Sequence, residues 1–169
     1  MPKGLKGTSS LITVGARITE SGANTFTSQR VDLQLNPLDN EVFVVTAIDI
    51  DARFPEYVAT KQTISTFMIT TTEQSKMPTF DSSSVLAEKV QSINDAASVG
   101  GVYMETNSTE SPSSLLEYLG IISTNDFFLN LEGFQNTGAM SGACKVYGYR
   151  ARADAAVYAA LVQSEVLSS

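Results

Sequence analysis

The chain has 169 residues, of which 43% are apolar and 17% charged, and it contains one cysteine and no histidine. The length suits one domain, and the apolar share can fill a hydrophobic core, which excludes global disorder. One cysteine excludes a disulfide framework within the chain, and the lack of histidine excludes Cys/His zinc sites and histidine-based catalysis. We therefore expect no enzymatic activity and no cofactor. The low charge and the 20 Ser and 17 Thr residues favour a β-rich fold.

The charge is unevenly distributed along the chain. The first 19 residues carry +3, from Lys3, Lys6 and Arg17, and the net charge of the whole chain is −7. An acidic chain is not expected to bind nucleic acid strongly, because phosphate binding needs clustered cations. The basic start is either a solvated tail, which we favour, or an arm that contacts a polyanion or a neighbouring subunit. No apolar run approaches the ~20 residues of a membrane span, so we expect no transmembrane segment and synthesis in a cytoplasm.

Alternating apolar and polar residues predict strands in the first and last thirds of the chain. The segment 41–53 is apolar on both faces at first and then carries Asp49 and Asp51 on one face, which indicates a strand that begins covered on both sides. We expect Val42 and Val44 to share a face with Ile48. The predicted strands span 11–18, 31–35, 41–53, 61–72, 102–105, 127–132 and 143–151, and the last two are expected to form a hairpin.

The central part of the chain has helical signals. Leu86, Val90 and Ile93 recur at helical spacing within 85–97, and Ser84 is placed as an N-cap. Pro112 can start a second short helix that ends at Gly120. We therefore expect a helical insertion at about 82–120.

The chain closes with a predicted helix, for which Asp154 is the N-cap and Val166 the approximate end. Its apolar residues form two adjacent stripes. Either both stripes pack on the parent sheet, or one of them docks on a neighbouring subunit, because a helix that is apolar around much of its girth needs two partners. The candidate interface residues are Val157, Tyr158, Leu161 and Val162.

Chemically useful clusters are few. Asp49 and Asp51 face the same way on a strand and could ligate a hard cation such as calcium, but solvation of a strand end and pairing with Arg53 is the simpler interpretation. Cys144 lies on a predicted strand, and without histidine to activate it we expect a buried, inert thiol. We assign no catalytic residue, no cofactor-binding residue and no metal ligand beyond the weak candidate pair Asp49 and Asp51.

Three stretches together resemble the single jelly-roll major capsid proteins of small icosahedral viruses: 25–35, 41–53, and 126–133 with 146–152. The resemblance implies eight antiparallel strands in two sheets and self-assembly into an icosahedral shell. It further implies pentamers or hexamers of the chain, other virion proteins as partners, location in the virion and no enzymatic role.

The sequence analysis thus predicts an all-β, jelly-roll-like antiparallel sandwich with short peripheral helices. Residues 1–19 are expected to form an N-terminal arm and a weak first strand, 20–153 the sandwich with its insertion, and 154–169 the C-terminal helix and tail. A structural shell subunit is the first functional hypothesis. The alternative is a carbohydrate- or ligand-binding β-sandwich module that would use exposed tyrosines together with Asp49 and Asp51.

Overall fold

A computed structural model describes residues 3–95, 101–107 and 116–167. These residues contain ten strands, one short 3-10 turn at Pro37–Asp39 and one α-helix, α1, at Ala155–Leu167. The strands are β1 (Leu5–Gly7), β2 (Ile12–Thr19), β3 (Thr27–Asp32), β4 (Glu41–Ala52), β5 (Gln62–Thr70), β6 (Val85–Asn94), β7 (Val102–Asn107), β8 (Gly120–Ile122), β9 (Asp126–Phe134) and β10 (Ser141–Ala153).

The strands form two antiparallel sheets, which we call sheet A and sheet B. In sheet A, β1 and β2 pair with successive parts of one side of β10, β4 pairs with its other side, and β8 pairs with β4. Sheet B has the order β3-β9-β5-β6-β7. Without the additional strands β1 and β7, sheet A has the order β2-β10-β4-β8 and sheet B the order β3-β9-β5-β6, which is the double Greek-key order of a jelly roll. The predicted all-β, jelly-roll-like sandwich is therefore confirmed.

The hydrophobic core lies between the two sheets, where aromatic and branched side chains from both inner faces interlock. Sheet A contributes Phe43 and Val146, and sheet B contributes Phe67, Phe127 and Leu129, all of them at most 1% exposed. Cys144 is buried in the same core, as predicted, and burial raises the pKa of its thiol to about 11. The thiol is therefore protonated and unreactive at neutral pH.

A bulge in β4 changes which residues share a face. The pairing with β10 skips Thr46, because Tyr147 lies opposite Ala47 whereas Gly148 lies opposite Val45. The two faces of β4 exchange at this point, so Val44 lies on the same outer face as the later aspartates and not with Ile48, which corrects the sequence prediction. A Cβ on Gly148 would lie 2.3 Å from the Val44 carbonyl oxygen, so the close approach of the two strands requires glycine there.

Three loops are fastened together at one end of the sandwich by buried polar side chains. The Glu20 carboxylate accepts hydrogen bonds from the backbone N–H groups of Thr25, Gly133 and Met140. The Asn136 amide donates to the Ile64 carbonyl and accepts from another backbone N–H. These bonds guide the chain from sheet B into sheet A after β9, so β9 and β10 lie in different sheets and the predicted hairpin is wrong.

The helix predicted at 85–97 is also wrong over its described part, because residues 85–94 form strand β6. The inward face of β6 carries Lys89 and Gln91 opposite Phe67 and Ser65. These polar residues conceal the strand alternation, and a bulge at Leu86 disturbs it further. Residues 96–97 and the first part of the short helix predicted from Pro112 to Gly120 lie outside the described residues. Its described part, 116–120, is not helical, and Gly120 begins strand β8, so the prediction is wrong there.

The basic start of the chain is partly built into the sheet. Leu5–Gly7 forms β1, which pairs with residues 151–153 of β10, and the Asp154 N–H donates to the Gly4 carbonyl at 3.0 Å. These residues are therefore not a solvated tail. The predicted strands at 11–18, 41–53, 61–72, 102–105, 127–132 and 143–151 are confirmed with shifts of a few residues at their ends.

Candidate subunit-interface surfaces

The first candidate surface is the C-terminal helix. It packs on the outer face of sheet A, over the start of β4 and the end of β10. Asp154 caps it, as predicted, by accepting from the Val157 N–H at 2.8 Å. Partly buried residues of the helix contact fully buried residues of the strands beneath. The helix residues are Val157, Tyr158 and Leu161, and the strand residues are Val42, Val44, Ala151 and Ala153. Members of both predicted stripes thus pack within the chain.

The end of α1 is fastened to the sandwich by a buried carboxylate. Glu165 is 8% exposed and accepts from the Ser123 N–H at 3.1 Å, the Ser123 hydroxyl at 2.7 Å and the Thr124 N–H at 2.8 Å. Charged acceptors give the strong kind of hydrogen bond. Because Ser123 directly follows β8, this contact holds the helix over the edge of sheet A.

Two of the predicted interface residues also line a crevice beside the helix. Tyr158 and Val162 border a space of about 240 Å³ together with Leu35 and Pro37. Both helix side chains are half-buried. The subunit-interface assignment for the four helix residues remains a prediction, with Val162 the member that does not belong to the cluster beneath the helix.

The second candidate surface is the uncovered half of the outer face of sheet A. Gly15 has no side chain and Ala143 has only a methyl group, so a shallow depression of about 430 Å³ forms between β2, β10 and β4. Asp49, Asp51 and Lys145 border it. The trough is thus open and mostly apolar in its lining, with charges of both signs at its border.

Asp49 and Asp51 lie on the same face of β4, as residues two apart on a strand do. Asp49 accepts a hydrogen bond from the Tyr147 hydroxyl at 3.0 Å, and this bond raises the pKa of Tyr147. Within the described ranges, no group of three or more acidic, histidine or cysteine side chains could hold a metal ion. Arg53, expected to pair with the aspartates, instead lies 3.7 Å from Glu56.

The basic residues of the start of the chain do not form one cluster. Lys6 in β1 lies opposite Arg152, whereas Arg17 in β2 lies opposite Ala143. These two positions on β10 are nine residues apart, which is about 30 Å along a strand. Lys3 precedes β1 and is exposed. A polyanion or neighbouring subunit would meet Lys3 and Lys6 at one place and Arg17 at another.

The third candidate surface is strand β7 with its surroundings, which sequence reasoning did not single out. Val102, Tyr103 and Met104 are 58%, 44% and 54% exposed. The rings of Phe54 and Tyr103 are 5.3 Å apart and tilted by 56°, and Tyr57 is also exposed. We call Phe54, Tyr57 and Tyr103 the aromatic group. In the sequence, the three consecutive apolar residues at 102–104 could have indicated this surface. Because a helical insertion was predicted around them, their position at the edge of a sheet was not recognised.

A polar network lies beside the aromatic group on the inward side of β6 and β7. The Tyr103 hydroxyl donates to Glu105 and accepts from the Gln91 amide at 3.3 Å, and Lys89 lies 3.1 Å from Glu105. These bonds lower the pKa of Glu105, with the Tyr103 bond as the largest cause. The Tyr57 hydroxyl donates to Asp95 at 2.7 Å, which raises the pKa of Tyr57. Aromatic faces are thus fixed next to carboxylates.

Comparisons with known proteins place these surfaces in no family. No family model matches the chain, and no curated protein matches it. Among solved structures, a tailspike protein gp49 from Acinetobacter baumannii bacteriophage Fri1, a capsular polysaccharide depolymerase, aligns with 11% identity and a TM-score of 0.16. The alignment covers 72% of this chain and 20% of the tailspike chain, so this chain spans about a fifth of its length. With so low a TM-score, the likeness carries no argument about fold or function.

The described helix α1 is too short to cross a bilayer, and no other described segment forms a helix that could do so.

Proposed function

We propose that the protein is a structural subunit that assembles with copies of itself into an icosahedral shell, with the virion as its location. The observation that carries this proposal is the exposed apolar strand β7 at the edge of a jelly-roll sandwich. An exposed apolar edge strand binds another strand or aggregates unless something covers it. Regular association of identical subunits covers such an edge in every copy.

The fold supports the same proposal. Jelly rolls are used in viral capsids, lectin domains and cupins, so the strand order alone leaves several functions open. The exposed apolar residues at the edge of sheet B favour the assembling class, because interface cores are enriched in aromatic residues and methionine. Pentamers or hexamers would be the intermediate assemblies, and other virion proteins would be the further partners.

Size-exclusion chromatography followed by negative-stain electron microscopy tests this function on the full chain. We expect pentamers, hexamers or closed particles in near-physiological salt. A species that remains monomeric at high concentration would contradict the proposal. Variant Leu38→Ser changes a 94% exposed apolar residue away from β7. It controls for the loss of any exposed apolar side chain and should assemble as the unmodified chain does.

The second candidate function is a carbohydrate-binding module, and the aromatic group favours it. Exposed aromatic rings held beside carboxylates can stack on the apolar faces of sugar rings while the acids accept hydrogen bonds from sugar hydroxyls. Variant Tyr57→Ala separates the two hypotheses. In a glycan-binding module it would abolish binding on a glycan array, whereas in a shell subunit no glycan binding exists to be lost.

A further inference from the structure

Strand β7 has the geometry of a strand that is ready to accept a partner. All six of its residues pair with β6 in an unbroken register, from Val102 opposite Asn94 to Asn107 opposite Lys89. Within the residues that the structure describes, no strand pairs with its other side. Alternate backbone N–H and C=O groups of a strand point away from its neighbour, so β7 presents a row of such groups at the edge of sheet B.

The edge lacks most of the features by which proteins usually prevent strand pairing. These features are proline, lysine, bulges, very short length and inward-pointing charges, and of these β7 has only the inward-facing Glu105. Strand β7 contains no proline or lysine, is regular and has six residues. Its only charged residue is Glu105, and Lys89 of the same chain lies 3.1 Å from that carboxylate. Two copies can therefore approach at this edge without strong charge repulsion, although each chain carries a net charge of −7.

The other described edges differ. Strand β3 carries Arg30 and Asp32, and Arg30 forms an ion pair of 2.6 Å with Asp126. Strand β8 has three residues, and α1 is fastened over it through Glu165. Strand β2, the edge of sheet A beside β10, has eight residues and a single charge, but its exposed residues are Thr13, Gly15, Arg17 and Thr19. The regular edge that exposes large apolar side chains is thus β7.

We propose that β7 pairs antiparallel with β7 of a second copy of this chain, about a two-fold axis perpendicular to sheet B. The two sheets would then continue into one another. The inference rests on the proposed function in one respect, which is that the partner is another copy and not a different protein.

The sequence of β7 selects one register for this pairing. With the axis perpendicular to the sheet, directly opposed residues must point to the same face, so each residue pairs with one whose number has the same parity. An axis at Glu105 would place two carboxylates opposite each other. An axis at Tyr103 would leave the residues after Met104 without a partner strand. An axis at Met104 avoids both problems.

The register centred on Met104 is self-complementary. Val102 lies opposite Thr106, which is a favourable pair of β-branched residues, and Met104 lies opposite its own copy. Tyr103 lies opposite Glu105 of the second copy, so no two carboxylates are opposed, and each Glu105 keeps its bonds to Tyr103 and Lys89 of its own chain. The exposed ring of Phe54, which contacts Tyr103, would add apolar area on the inward side of each copy. On both faces of β7, the residues that two copies would place opposite each other are therefore compatible.

A cysteine scan of the edge tests the pairing and its register. In the Met104 register, Met104→Cys places two thiols about 5 Å apart by their Cα atoms, within the range of a disulfide. Two Val102→Cys copies would be four residues apart, or about 13 Å, which is beyond that range. Cys144 is buried, so the unmodified chain is the background control.

We expect mild oxidation of Met104→Cys to give about tenfold more disulfide-linked dimer on non-reducing gels than Val102→Cys or the unmodified chain. A mixture of Val102→Cys with Thr106→Cys should cross-link, whereas neither variant should do so alone. Circular dichroism of each variant checks that the sandwich is folded.

The outcomes separate this inference from the proposed function. Equal or stronger cross-linking of Val102→Cys alone overturns the register. If closed particles form and Met104→Cys gives no dimer within them, the edge pairing is wrong while the shell function stands. If Met104→Cys gives dimers and microscopy finds no larger assembly, the edge pairing stands and the shell function is wrong.

Discussion

The two sheets end differently at β8 and at β7. Strand β8 is short, and the C-terminal helix lies over it with Glu165 bonded to the chain that follows the strand. Strand β7 is twice as long and its residues are mostly exposed. The terminal helix covers the edge at β8, whereas the edge at β7 stays regular and exposes large apolar side chains, and this difference is the basis of the pairing proposed for β7.

The structure also decides between the two interpretations of the C-terminal helix for three of its four candidate interface residues. The sequence left open whether its apolar stripes pack on the parent sheet or on a neighbour. Val157, Tyr158 and Leu161 contact the parent sheet, so the helix contributes first to the stability of the subunit. Association should depend more strongly on β7 than on α1.

The largest loss of stability is expected when the covered edge is opened. Glu165→Ala removes the acceptor for two backbone N–H groups and a hydroxyl, which then lie near the protein interior without a partner. We expect the free energy of unfolding to fall by about 3 kcal/mol, because each buried unsatisfied donor costs 1–3 kcal/mol. Urea denaturation followed by circular dichroism measures the change.

The matched control for this prediction is Gln163→Ala, an exposed position on the same helix, which should change the free energy by less than about 0.5 kcal/mol. Equal effects of both substitutions would show that Glu165 does not hold the helix to β8.

A smaller effect is expected from the apolar contact beneath the helix. Leu161→Ala removes a half-buried side chain that packs with the cluster around Val44, so we expect a loss of about 1–2 kcal/mol. Leu167→Ala, at a residue 78% exposed on the same helix, serves as the control and should be nearly neutral. Thermal and urea unfolding of both variants provide the measurement, and a neutral Leu161→Ala would contradict the intramolecular packing.

Changes at the open edge should affect assembly and leave the subunit stable. Met104→Lys places a charge on an exposed strand position, so the free energy of unfolding should change by less than about 0.5 kcal/mol. Paired copies would oppose two lysines at the axis, and association should weaken by about tenfold or more. Analytical ultracentrifugation measures this, with Leu11→Lys, at a residue 64% exposed away from β7, as the control.

The reliable part of the sequence analysis was the set of strands with one clearly buried face. In β10, the buried residues Cys144 and Val146 alternate with the exposed Lys145, and this period of two has no helical alternative. The N-cap of α1 could also be predicted from the sequence. An aspartate before a helical pattern accepts a hydrogen bond from the first turn of the helix, and this local contact does not depend on the rest of the fold.

The errors arose where tertiary structure decides the pattern. In β6, Lys89 and Gln91 face inward near the rim of the sandwich, where Lys89 pairs with Glu105, and the apolar residues that remain happen to fit a helix. Whether β9 and β10 share a sheet depends on Glu20 and Asn136, which bind backbone groups distant in sequence. Such contacts leave no local periodicity.

For a similar reason, only part of the candidate interface could be predicted from the sequence. The helix residues are apolar and periodic, so the sequence identified them, yet it could not say which surface they contact. The edge character of β7 depends on its being the last strand of sheet B, and strand order is a property of the whole fold.

The smallest expected effect is a pH dependence at the open edge. Hydrogen bonds from Tyr103 and Lys89 hold the pKa of Glu105 below its usual value, so the ionised form stabilises the β6–β7 pair. This contribution is fully present above the pKa of Glu105 in the unfolded chain and is lost as the pH falls through the lower folded value. Its size should stay below about 1 kcal/mol, because the carboxylate is close to solvent. Urea titrations of the unmodified chain and of Glu105→Gln, at neutral pH and at a series of acid pH values below the ordinary glutamate pKa of about 4.3, measure the difference, which should shrink as the Glu105 carboxylate is protonated. A difference that is the same at all of these pH values would mean that the charge of Glu105 does not stabilise the edge strand.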